Sequence, residues 1–99
     1  MNSTPPCRIA LVAGGLPLGG STTYMLFLAS GLQELGAKAE IFSFTSSNPL
    51  SREFSEAGIR VHTFDEKQMI YEDRLRGLYA ELRAFDPQAR SEERRRERV

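Results

Sequence analysis

Residues 8–35 (RIALVAGGLPLGGSTTYMLFLASGLQEL) constrain this chain more than any other stretch. Ile9, Leu11 and Val12, with small neighbours, make a short continuous apolar run of the kind a strand buried on both faces shows. Gly14, Gly15, Gly19 and Gly20 interrupt it, a helical pattern runs from Thr22 to Leu35, and Gly36 supplies a left-handed stop. A strand that passes through glycines into a helix N-terminus lets backbone N–H groups approach an anion, with the helix dipole behind them. Gly19, Gly20, Ser21 and Thr22 are therefore the candidate binding loop, and Gly14 and Gly15 give it its shape.

The remaining elements follow the same plan. Residues 39–44 (AEIFSF) read as a second strand. Asn48 is placed as an N-cap with Pro49 at the first helical position, and Leu50, Phe54 and Ala57 form the apolar stripe of a short helix ended by Gly58. Residues 59–64 (IRVHTF) alternate as a third strand nearer a sheet edge does. Asp65 and Gln68 have the spacing of a capping box, and Tyr71, Leu75, Leu78, Leu82 and Phe85 carry a long helix that Asp86-Pro87 stops. The expected fold is α/β: a three-layer half-Rossmann unit with a parallel sheet of order 3-2-1 and three helices. Residues 1–7 read as a flexible arm, 8–87 as the domain, and 88–99 as a charged tail, disordered or loosely helical. The plan calls for an apolar fourth strand there, and the tail instead holds five arginines and three glutamates.

The first half of the first helix, Tyr24 to Leu28, is apolar on all sides and calls for cover from a second surface. Self-association through an open sheet edge is expected on the same ground. Thirteen basic residues balance thirteen acidic ones in 99, so there is no electrostatic case for nucleic acid or an anionic membrane. No run approaches the length of a membrane span, there is no signal peptide, and the single cysteine, Cys7, fits a reducing, cytoplasmic setting. No cofactor and no metal cluster are expected; His62 has no second histidine or cysteine near it and reads as structural. Phe42, Phe44, Phe64 and Tyr79 read as core.

The glycine loop departs from two well-known phosphate patterns. Its G-G-x-x-x-G-G spacing is not G-x-G-x-x-G, and Ser43, Phe44 and Thr45 stand where an acidic ribose partner belongs. Gly15 to Gly20 has P-loop spacing, but Ser21 replaces the lysine that would reach the terminal phosphates. Residues 11–44, with Gly19-Gly20, the helix segment Leu26-Phe27-Leu28-Ala29-Ser30-Gly31-Leu32-Gln33-Glu34-Leu35-Gly36, and Phe85-Asp86-Pro87 further on, resemble the opening of a family-4-type glycosyltransferase of GT-B architecture. The resemblance spans residues 8–87. It implies an incomplete GT-B N-terminal domain on the acceptor side, with Gly19, Gly20, Ser21 and Thr22 near the diphosphate of a nucleotide-sugar. The implied reaction is retaining sugar transfer. Thr22 stands where many members have an acidic residue, so that carboxylate's role does not carry over. The donor-binding domain is lacking, so a fragment inactive alone, from truncation or a shifted frame, is expected. Nucleotide-sugar and acceptor would bind only with the missing domain present. The alternative is a stand-alone flavodoxin-like phosphate-binding or interaction module without catalysis.

Overall fold

The computed structural model describes residues 7–87 and the backbone of 89–93; most of the expected N-terminal arm and the end of the charged tail lie outside the described residues. The order is β1 (Arg8–Ala13), α1 (Gly20–Glu34), β2 (Lys38–Ser43), α2 (Ser51–Glu56), β3 (Arg60–His62), α3 (Tyr71–Phe85) and β4 (Ala89–Glu93). All strands are parallel and lie in the order β3-β2-β1-β4. The expected half-Rossmann plan is present, with one strand more than the sequence suggested.

Sheet alternation sorts the core into two layers. On one face Leu11, Ala13, Ala39 and Ile41 pack with Met25 and Ala29 of α1 and Phe54 of α2. On the other, Ala10 and Phe42 pack with Phe64 and with Leu78 and Leu82 of α3. The first two helices end where glycine permits. Gly36 (φ 95°) and Gly58 (φ 75°) donate to Gln33 and Ser55 carbonyls, and the next residues, Ala37 and Ile59, donate to Leu32 and Phe54. Both ends are Schellman motifs, which satisfy carbonyls that the helix ladder leaves free.

Several expectations are corrected. Residues 89–93, expected within the charged tail, form β4 along the far side of β1, from Ile9↔Ala89 to Ala13↔Glu93. A ladder is made by backbone groups, so a segment delivered alongside β1 can complete it whatever its side chains. The end of α3 does the delivering: Asp86 closes it in the left-handed region at φ 54°, and Arg8 Nε–H donates to the Asp86 carbonyl at 2.8 Å. The edge of β1 is thus filled, and the sheet's outer strands are β3 and β4. Asn48 caps nothing; α2 starts two residues after Pro49, with Leu50 at its N-cap. Asp65 begins a turn: its carboxylate takes the Lys67 N–H and its carbonyl the Gln68 and Met69 N–H groups, and α3 starts only at Tyr71. Phe42 and Phe64 are buried as expected, but Tyr79 is 56% exposed.

Gly77 looks from sequence like a weak point in α3. A Cβ there would stand 2.7 Å from Cε1 of Phe64, whose side chain is itself buried. Alanine in mid-helix normally gains about 1 kcal/mol over glycine. Here the packed ring must shift, and overpacking outweighs propensity. Gly77→Ala is expected to lower stability by about 1 kcal/mol net, read as a lower urea midpoint at unchanged slope. A raised midpoint would show that Phe64 yields freely.

Candidate functional site

The glycine loop leaves the C-terminal end of β1 at Ala13 and enters α1 at Gly20. Leu16, 1% exposed, anchors it in the core. Thr22 is buried, and its hydroxyl donates to the Pro17 carbonyl, folding the loop back on the helix it precedes. The Thr22 side chain is therefore committed to the loop, and only its N–H faces the helix mouth. Gly14 and Gly20 have open space where a Cβ would point, whereas a Cβ on Gly15 would lie 3.0 Å from Thr45 Oγ1, so the loops after β1 and β2 run close together.

Thr23 makes the first helical bond, from its N–H to the Gly19 carbonyl at 3.1 Å, and its hydroxyl shares that acceptor at 3.0 Å. The N–H groups of Gly20, Ser21 and Thr22 precede that ladder, no side chain caps them, and no acidic residue lies in the first turn. Gly19, the N-cap, has φ 156° and ψ −174°. That backbone region is open almost only to glycine. The structure brings together the loop residues that the sequence singled out, with Ser21 exposed at the helix entrance.

The position of this mouth matters. The chain passes from β1 outward to β2 and β3, then returns to place β4 on the opposite side of β1. Strand order reverses between β1 and β4, and open α/β sheets bind ligands at the carboxyl ends of strands flanking such a reversal. At the same end of the sheet, Arg74 donates through Nη1 to the Phe44 carbonyl at 2.8 Å and lies 4.4 Å from the Phe44 ring centroid. Glu66 accepts from the Ser46 N–H and hydroxyl, and the Ser46 N–H is the main cause that holds its carboxyl below the usual glutamate range. Arg74 is one of several charged residues along α3. Its role depends on β2, which sequence spacing cannot show.

A second polar group lies inside the fold. His62 Nε2 is 2.7 Å from Glu40 Oε1, its Nδ1 contacts Glu81 Oε1, and its ring stacks on Phe42 at 4.1 Å. The carboxylate partners of His62, which the sequence did not indicate, come from β2 and α3. Among the described residues no group of three His, Cys, Asp or Glu could hold a metal ion, and no helix is long and apolar enough to cross a membrane.

No family model and no curated protein matches the sequence. A solved structure does match by shape: the phosphoribosylglycinamide formyltransferase of Coxiella burnetii, in complex with CHES, with a TM-score of 0.63 over 95% of this chain and 14% sequence identity. The chain spans 44% of that protein's length. At this identity the likeness shows the fold alone. It also overturns the glycosyltransferase expectation, and with it the nucleotide-sugar donor, the retaining reaction and the incomplete GT-B domain: the matching architecture is that of a formyltransferase. The physical reason is plain. A strand, a glycine pair and an apolar helix specify how amides are presented to an anion, and leave open which molecule carries it.

Proposed function

We propose that this chain is a phosphate-binding α/β domain that holds the phosphate of a sugar-phosphate ligand of the phosphoribosyl kind at the N-terminus of α1. The observation that carries the reading is the set of uncapped N–H groups of Gly20, Ser21 and Thr22 beside the β1/β4 reversal. Three amides and the dipole of a 15-residue helix favour a compact dianion, and Ser21 offers its hydroxyl at the rim. The name of the structurally similar enzyme supplies the ligand class, because it acts on a phosphoribosyl compound. The proposal assigns this chain the phosphate-holding part and leaves formyl transfer to the longer protein. An exposed free thiol at Cys7 accords with a reducing, cytoplasmic setting.

The test is amide chemical-shift perturbation with ribose 5-phosphate, with ribose as control. Shifts centred on residues 20–22 support the reading, and shifts elsewhere or none overturn it. Ser21→Asp sharpens it. A carboxylate in the first turn stabilises the helix by about 0.5 kcal/mol and occupies the same amides. Thermal stability is expected to rise slightly while ribose 5-phosphate binding falls at least tenfold. Unchanged binding in that variant would remove the phosphate from the helix mouth.

A further inference from the structure

Beside β3, at the far side of the sheet from β4, lies a cleft of about 600 Å³. Phe54, Ile59 and Val61 give it an apolar part, while Asn48, Ser55 and Arg60 bring polar groups to its walls. We propose that this cleft binds an extended acidic peptide, which adds to the free edge of β3 as a further parallel or antiparallel strand.

Three observations support it. Among the described residues β3 pairs only with β2, so the N–H and C=O groups on its outer side form an open ladder, and strand addition uses such an edge together with side-chain pockets beside it. Asn48 lines the cleft, and its Oδ1 is buried with no hydrogen-bond partner among the described residues. Nearly all buried polar atoms are satisfied, so this acceptor suits a donor that arrives with a ligand, such as a peptide N–H. Arg60 supplies the positive charge among the lining residues.

Charge and alternation then fix the occupant. Side chains of an added strand point alternately to the two faces of the sheet. On the α2 face they meet Phe54 and Val61; on the other they run beside Arg60, where a carboxylate is favoured across the strands.

The probe is a fluorescein-labelled octapeptide alternating valine and aspartate, followed by anisotropy with the full 99-residue chain. Saturable binding is expected, with amide shifts over residues 59–63. N-methylation of alternate peptide bonds should abolish it, and Arg60→Gln, which removes the charge without setting a carboxylate opposite Glu40, should weaken it several-fold. Asn48→Ala provides a second variant with several-fold weaker binding. Binding that survives backbone methylation, or that is matched by a valine–lysine peptide, overturns the proposal. So does binding of glutamate or succinate at the same residues without peptide binding, which marks a small-molecule site. Absence of peptide binding with ribose 5-phosphate shifts intact at residues 20–22 also overturns it, independently of the function proposed above.

Discussion

His62→Ala is expected to cost about 3 kcal/mol, the upper end of the range for leaving a buried polar group without its hydrogen-bond partner. The imidazole sits between two carboxylates and contacts one with each ring nitrogen. The Glu40 side chain is 8% exposed, so its charge has little access to water once the ring is gone. Lys38 Nζ, 3.8 Å from the other Glu40 oxygen and 55% exposed, replaces little of what is lost. Glu81 is nearly half exposed and loses less, but it then faces Glu40 with no ring between them. The Phe42 ring also loses its stacked neighbour. A domain of this size has a stability of about 5–10 kcal/mol, so the variant loses a large share of it and its urea midpoint falls accordingly. Urea unfolding checks this. The double variant Glu40→Leu with His62→Leu separates charge from packing, because replacing both members of a buried pair by apolar groups is often close to neutral. A loss below about 1 kcal/mol in the single variant would mean that water reaches Glu40 after all.

The parts of this fold that were legible in sequence are those fixed by local backbone rules. Gly36 and Gly58 end α1 and α2 because few other residues take a positive φ cheaply, and the apolar run of β1 marks a strand covered on both faces. Local signals failed where a tertiary partner competed. Asp65 has the spacing of a capping box, but its carboxylate is taken by Lys67 in a turn that delays α3 to Tyr71. Residues 89–93 carry no strand signal in their side chains, and only the edge of β1 explains their conformation. His62, Glu40 and Glu81 lie on three elements, so no spacing rule reveals that they meet. The uncapped start of α1 after a glycine pair was legible from local spacing. A ligand was not, since the same glycine arrangement serves ligands of many kinds.

Gly19→Val is expected to cost about 2–3 kcal/mol and to abolish binding at the α1 mouth. At φ 156° and ψ −174°, the Gly19 backbone occupies a region where a β-branched residue is strained. A Cβ at that position would meet nothing within 4 Å, so the cost comes from the backbone itself and not from a neighbour that could move aside. Relief requires φ to change, and that rotates the Gly19 carbonyl away from the Thr23 N–H and hydroxyl that it accepts. The first turn of α1 then loses its start, and the three amides that follow lose their common aim. Gly20→Ala isolates this effect. Gly20 lies in the helix with open space around its Cβ position, so alanine should be neutral or stabilising by up to about 1 kcal/mol, and the N–H it presents is unchanged. If the backbone of this loop is what recognises phosphate, Gly20→Ala retains ribose 5-phosphate binding within about threefold, equivalent to under 1 kcal/mol, while Gly19→Val shows none at a temperature where it remains folded. Equal binding by the two variants would separate the strained N-cap from recognition and leave Gly19 a purely structural part.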